Sequence, residues 1–161
     1  MVNNYSSGQV IMLVVLRVSI GWHFLYEGLV KLLNPNWSSI GFLVDSKGLF
    51  ENLFKAMAAN LKVVPIIDFL NLWGLVLIGL GLIVGLFSRI ALISGIVLLA
   101  LYYISHPAII GAEYMIPSEG SYLFINKTLI ELFAMSVLLV FPTSRLIGLD
   151  RLLFRKPSIN C

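Results

Sequence analysis

Four apolar segments of near-spanning length, over about residues 10–33, 65–87, 89–105 and 122–141, leave this chain few ways to fold. A bilayer core about 30 Å thick takes about 20 helical residues to cross, and backbone facing lipid must satisfy its own hydrogen bonds. The predicted fold class is therefore an all-α membrane protein, a bundle of four transmembrane helices forming one domain over 1–161. Composition agrees: 59% of the residues are apolar and 12% charged, and the mean hydropathy is +0.96. A soluble domain has about 45–50% and about 25%. The apolar runs are continuous and do not alternate at period two, which excludes a transmembrane barrel.

The second and third segments meet at Gly85-Leu86-Phe87-Ser88-Arg89, a connection so short that the two helices form an antiparallel hairpin. Pro107 and Pro142 close the third and fourth segments, because a proline disfavours helical backbone in the residue before it. Arg89 and the tail residues Arg145, Arg151, Arg155 and Lys156 contrast with a third connection, 106–122, that has no Lys or Arg. By the positive-inside rule both termini are cytoplasmic, and the expected location is a prokaryotic inner membrane. Lys47, Lys55 and Lys62 in the long first connection then lie outside, which long loops tolerate. The first segment is expected to be a retained helix, since no basic residue precedes its apolar run and no small-residue cleavage site follows. Within the first connection, Leu49, Phe50, Leu53, Phe54, Met57 and Leu61 recur every three or four residues. That spacing predicts an amphipathic helix over about 48–62, lying on the outer membrane surface or packed as an ordinary loop helix. Gly81 and Gly85, with Gly74 one heptad earlier, predict close helix packing.

Several function classes fall away. A net charge of +3 and a pI near 9.1 arise from basic residues scattered along the chain or gathered in its tail, so they reflect topology and nucleic acid is not an expected partner. The one cysteine is Cys161, which removes dithiol chemistry within the chain. Two histidines, His23 and His106, are the minimum for a bis-histidine haem and nothing else marks one. No haem, metal or flavin is expected.

Ionisable residues at membrane depth require partners or a role. Counting about 100° per residue from His23, Glu27 falls near 40°, Lys31 near 80° and Arg17 near 120°. The four share about a third of the first helix and are expected to face the bundle interior. The fourth segment adds Asn126, Lys127 and Glu131, the second Asp68, Asn71 and Trp73, and the end of the third His106. With cytoplasmic termini these all fall in the outer half of the bilayer, and a Glu27–Lys127 pair is one expected contact. Trp22, Tyr26, Trp37, Trp73, Tyr102 and Tyr103 form either an interfacial belt or pocket walls. Two readings stay open. One is a structural ladder, His23 to Glu27 to Lys31 at i,i+4. The other is a polar pocket with aromatic walls opening to lipid, which is what a quinone needs.

The stretch Arg17-Val-Ser-Ile-Gly21-Trp-His-Phe-Leu-Tyr-Glu-Gly28-Leu-Val-Lys31 resembles the opening-helix signature of DoxX-like membrane proteins, and 73–89 resembles their glycine-rich second helix ending in Arg. Asn34-Pro-Asn-Trp37, Ile104-Ser-His106-Pro107 and 121–131 look closer to the DoxD branch. That resemblance implies the membrane subunit of a thiosulfate:quinone oxidoreductase, working with a separate DoxA-like or other redox subunit. On it, Glu27, Lys31 and Glu131 are candidate catalytic residues. Arg17, His23, Trp37, Asn71, Trp73, His106, Asn126 and Lys127 are candidates for binding quinone or the anionic donor. Membrane lipids are expected partners, and a homo-oligomer is compatible with the pattern. The competing reading is a non-catalytic component that binds lipid or a partner protein and uses its buried charges to hold the bundle together.

Overall fold

The structure, a computed structural model, describes residues 6–107, 114–115 and 123–153. The basic residues Arg155 and Lys156, the side chain of Arg145, Cys161 and most of the 106–122 connection lie outside the described residues. The described residues are helical and contain no strand. Helix α1 runs Ser7–Leu33 and opens with a capping box, in which the Ser6 side chain accepts from Gln9 N and the Gln9 side chain from Ser6 N. Two short helices, α2 (Ile40–Val44) and α3 (Glu51–Ala59), occupy the first connection. Helix α4 (Val64–Val84) carries Pro65 in its first turn, where no intrahelical N–H is lost. It stops at Gly85, whose φ of 71° is the left-handed cap that glycine adopts without strain. Helix α5 (Ser88–Ser105) returns antiparallel to it. Helix α6 (Lys127–Val140), a 3-10 turn (Thr143–Arg145) and α7 (Asp150–Leu153) complete the described chain.

Helices α1, α4 and α5 are long and apolar enough to cross a membrane. The fourth segment departs from expectation. Hydropathy predicts a helix from 122, but α6 begins at Lys127, because Asn126 sits in extended backbone and its side chain accepts from Leu129 N at 2.9 Å. Its 14 residues rise about 21 Å, short of the about 30 Å core. The second segment likewise ends at Val84 and not at 87, at the Gly85 cap. In the first connection, α3 falls within the predicted 48–62, and Leu49, Phe50, Leu53 and Leu61 remain exposed. Asp68 on α4 pins this connection, accepting from Ser38 Oγ at 3.0 Å and Ser39 N at 2.8 Å.

Helix α1 packs along α4, α4 along α5, and α6 against α5 and, more sparsely, α1. Ile20, Phe24, Leu82, Leu92, Met135 and Leu138 meet in the core between them. The glycines at the closest approach differ from those predicted. A Cβ on Gly79 would lie 2.5 Å from Leu25 N and 2.7 Å from Gly21 O, so here backbone packs directly on backbone. Gly74 faces open space, Gly81 meets the hairpin partner at Ala91, and Gly85 belongs to the turn. GxxxG spacing reports small residues on a helix but cannot say which neighbour they face. The α1–α4 packing brings the Arg17 guanidinium to Gly85, at the hairpin turn. There α7 docks through Leu149 N to Val84 O at 3.3 Å and Asp150 N to Gly85 O at 2.8 Å.

Gly79→Leu drives a side chain into backbone that has no rotamer to move, so its cost is expected at or above the about 1–3 kcal/mol of ordinary overpacking. Gly74→Leu is expected to be tolerated. The check is the yield of monodisperse protein extracted from membranes: equal yields for the two variants would place the tight seam elsewhere.

Candidate functional site

Near the end of the bundle that carries the first connection, a cavity of about 170 Å³ is lined by His23, Phe24, Glu27 and Lys31 of α1, Leu75 of α4, Leu99 and Tyr102 of α5, and Lys127, Thr128 and Glu131 of α6. The i,i+4 spacing places His23, Glu27 and Lys31 along one edge of α1, but that edge is not the interior face. The buried positions of α1 are Arg17, Ile20, Gly21, Phe24 and Gly28, whereas His23 and Lys31 are half-buried and Glu27 is exposed. The stripe therefore lines the α1–α6 seam, with Glu27 and the exposed Lys127 at its mouth.

Across that seam, His23 Nδ1 and Glu131 Oε1 lie 2.7 Å apart, a charge-assisted distance. A ring that donates Nδ1–H to the carboxylate keeps Nε2 as an acceptor, or as a second donor once protonated. Lys31 Nζ donates to Asn71 Oδ1 at 3.2 Å, and Asn71 Nδ2 donates to the Tyr102 hydroxyl. The ammonium also lies over the Trp37 ring, 5.2 Å from its centroid, and 5.8 Å from that of Tyr102. Of the two readings, the ladder within α1 is not how the hydrogen bonds run: His23 pairs with Glu131 on α6 and Lys31 with Asn71 on α4. The resulting site combines an imidazole–carboxylate pair able to hold or move a proton with a cation fixed by an amide and two aromatic faces.

The remaining sequence candidates are placed elsewhere. Arg17 is directed toward the opposite end, where Nη1 donates to Thr143 Oγ1 at 3.2 Å and Nη2 to Ile147 O at 2.9 Å. Asn126 caps α6. Trp73 is exposed beside Phe69, and Trp22 and Tyr26 are also exposed, the positions expected of an interfacial belt. Tyr103 donates to Phe124 O at 2.8 Å. Tyr102, by contrast, belongs to the cavity wall, a role that sequence left undecided between wall and belt.

His106 belongs to a separate cluster above the helices. Its ring lies 4.1 Å from Phe42 and 5.0 Å from Tyr114, centroid to centroid, with Nε2 3.9 Å from Asp45 Oδ2. Lys47 Nζ stands over Tyr114 at 5.3 Å. Burial pushes the His106 ring below its ordinary value, and the Asp45 charge offsets this only in part. The folded protein thus favours neutral His106, and the unfolded chain takes up the proton first as pH falls below about 6.5. Stability is expected to fall with acidification from there down through the lowered value. Thermal unfolding of wild type and His106→Gln between pH 7.5 and 5 measures it: the wild type should lose more, and parallel curves would mean that His106 does not titrate on unfolding.

Three helices long and apolar enough to span a bilayer mark an integral membrane protein. A family model described as DoxX matches residues 12–107, and the chain belongs to the DoxX family. The match takes in His23, Glu27, Lys31, Asn71 and Tyr102 and ends before Lys127 and Glu131. No curated protein and no solved structure matches the chain.

Proposed function

We propose that the chain is the membrane subunit of a quinone-linked oxidoreductase, similar to DoxD, which passes electrons from thiosulfate or another small sulfur donor to quinone at the α1–α6 seam. The observation that carries this reading is the meeting of the His23–Glu131 pair and the anchored Lys31 around one small cavity that opens at the α1–α6 seam. Its size suits a single ring, since an apolar cavity of about 150 Å³ accommodates benzene. Apolar Phe24, Leu75 and Leu99 offer faces for such a ring, and His23, Tyr102 and Lys31 offer donors to its oxygens. A bound quinone takes up two electrons and two protons. His23 and Glu131 hold a proton between them, Glu27 at the mouth exchanges with solvent, and Lys31 and Lys127 set a positive potential that favours an anionic donor. A separate DoxA-like subunit is the expected partner for sulfur chemistry.

In this reading α6 is a fourth, short span, which a locally thinned bilayer accommodates. Both termini are cytoplasmic, with Arg89 and Arg151 on the inner side. An impermeant thiol reagent applied to intact cells should miss native Cys161 and reach Asn36→Cys in the turn after α1. The reverse labelling would invert the bundle and put the cavity in the cytoplasmic leaflet.

Anaerobic quinone reduction by the purified protein, alone and with co-expressed neighbours and thiosulfate as donor, tests the activity. The Glu27→Gln, Lys31→Met double variant removes one charge of each sign, leaves the net charge of the seam unchanged, and should stay folded while slowing turnover about a hundredfold or more. A stable double variant at full rate would make these residues structural. Failure of the folded wild type to reduce quinone with any sulfur donor would favour the non-catalytic component instead, a reading supported by the internal pairing of Arg17 with Thr143 and Ile147.

A further inference from the structure

At the opposite end of the helices, beside the α4–α5 turn, lies a larger cavity of about 820 Å³. Its wall has two characters. Leu138, Leu139 and Val140 of α6 make one side apolar, and the guanidinium-bearing residues Arg17, Arg89 and Arg151 contribute the other. Asp150 also lines it, but its oxygens are already engaged, Oδ1 by Phe87 N at 2.7 Å and Oδ2 by Ser88 N at 3.1 Å. Three cations therefore share the cavity with one committed carboxylate. Arg17 is only 3% exposed, and its Nε is buried with no hydrogen-bond partner among the described residues. A buried donor on a cation is costly to leave unmet, and among the described residues no acceptor meets it.

We propose that this cavity binds an anionic phospholipid, its phosphate among the three arginines and an acyl chain along Leu138, Leu139 and Val140. Guanidinium groups match phosphate oxygens in geometry and charge, and basic residues at the end of spanning helices stand where headgroups lie. Phosphate alone would satisfy the arginines but leave the apolar side and most of the volume unfilled. Lipid satisfies both. None of these residues lines the His23–Glu131 cavity, so the proposal is independent of the quinone reading.

The test uses the full chain in neutral detergent, titrated with phosphatidylglycerol, phosphatidylcholine or inorganic phosphate, and reads affinity from native mass spectrometry and the shift in unfolding temperature. Arg17 is left intact because its buried contacts hold the fold, and the exposed Arg89 and Arg151 are replaced in Arg89→Gln, Arg151→Gln. Phosphatidylglycerol should bind about tenfold or more tightly than phosphatidylcholine, and the double variant should lose about tenfold or more of that affinity. Lys55→Gln, Lys62→Gln, which removes the same charge from the opposite end, should leave it unchanged. Should the double arginine variant not fold, each single replacement is read in the same way with a smaller loss. Equal binding of the two lipids, or an equal loss in the lysine control, would overturn the site. Inorganic phosphate that stabilises the protein fully and displaces the lipid at matched concentration would overturn the lipid assignment in favour of a soluble phosphate.

Discussion

The guanidinium of Arg17 is buried, and two of its three nitrogens find their partners 126 and 130 residues away, at Thr143 and Ile147. The chain after α6 has to fold back across the hairpin to supply them. That return brings Gly148 against Gly85 and sets Asp150 beneath the start of α5, where it accepts from the N–H groups of Phe87 and Ser88. Burial alone would raise the Asp150 carboxyl, but hydrogen bonds from Ser144, Ser88 and Phe87 outweigh it and hold the group below the ordinary carboxylate range. A stable carboxylate then caps a helix whose own preceding residue, Phe87, provides no side-chain cap. One buried cation thus organises the whole lower end, and the negative charge it feels from Asp150 arrives by the same fold.

Much of the fold was legible because the bilayer allows so few solutions. Continuous apolar runs locate α1, α4 and α5 to within a few residues, and the brief Gly85 connection dictates the hairpin. The errors lie at ends, where hydropathy is blind to hydrogen bonding. Leu123, Phe124 and Ile125 are apolar enough to extend the fourth segment, yet Asn126 captures Leu129 N and starts the helix after them. Glycine spacing misled in a similar way. The pair that sets the α1–α4 distance is Gly21 and Gly79, on two different helices, and no spacing along one helix reveals it. The available signal was Gly21 and Gly28, one heptad apart on α1 and both present in the motif that resembles DoxX proteins.

The candidate site was legible in its members more than in its arrangement. The helical wheel gathered His23, Glu27 and Lys31 correctly onto one edge, but a wheel gives relative angle and not the direction of the core. Placing Arg17 with them followed from angle alone. Its height on α1, level with the hairpin turn, separates it from the others. Nor could the wheel foresee that Glu131 would answer His23, since that contact depends on how far α6 is displaced along the bundle.

The position of the cavity follows from how unequally the seams are locked. Backbone contact at Gly21 and Gly79 fixes α1 to α4, the turn at Gly85 fixes α4 to α5, and Met135 seats against Gly95 to fix α6 to α5. The α1–α6 seam is packed more sparsely, and the His23–Glu131 hydrogen bond crosses it. Apolar packing there is interrupted by the very side chains that make the cavity. Under the proposed quinone reading, a ring entering between the helices shares hydrogen bonds with the pair that joins them, and the pair's protonation then bears on both binding and the seam. On the proposed reading, the hydrogen bond that crosses this seam also serves the site, while the seams on the other sides are held by direct packing at Gly21, Gly79 and Gly95.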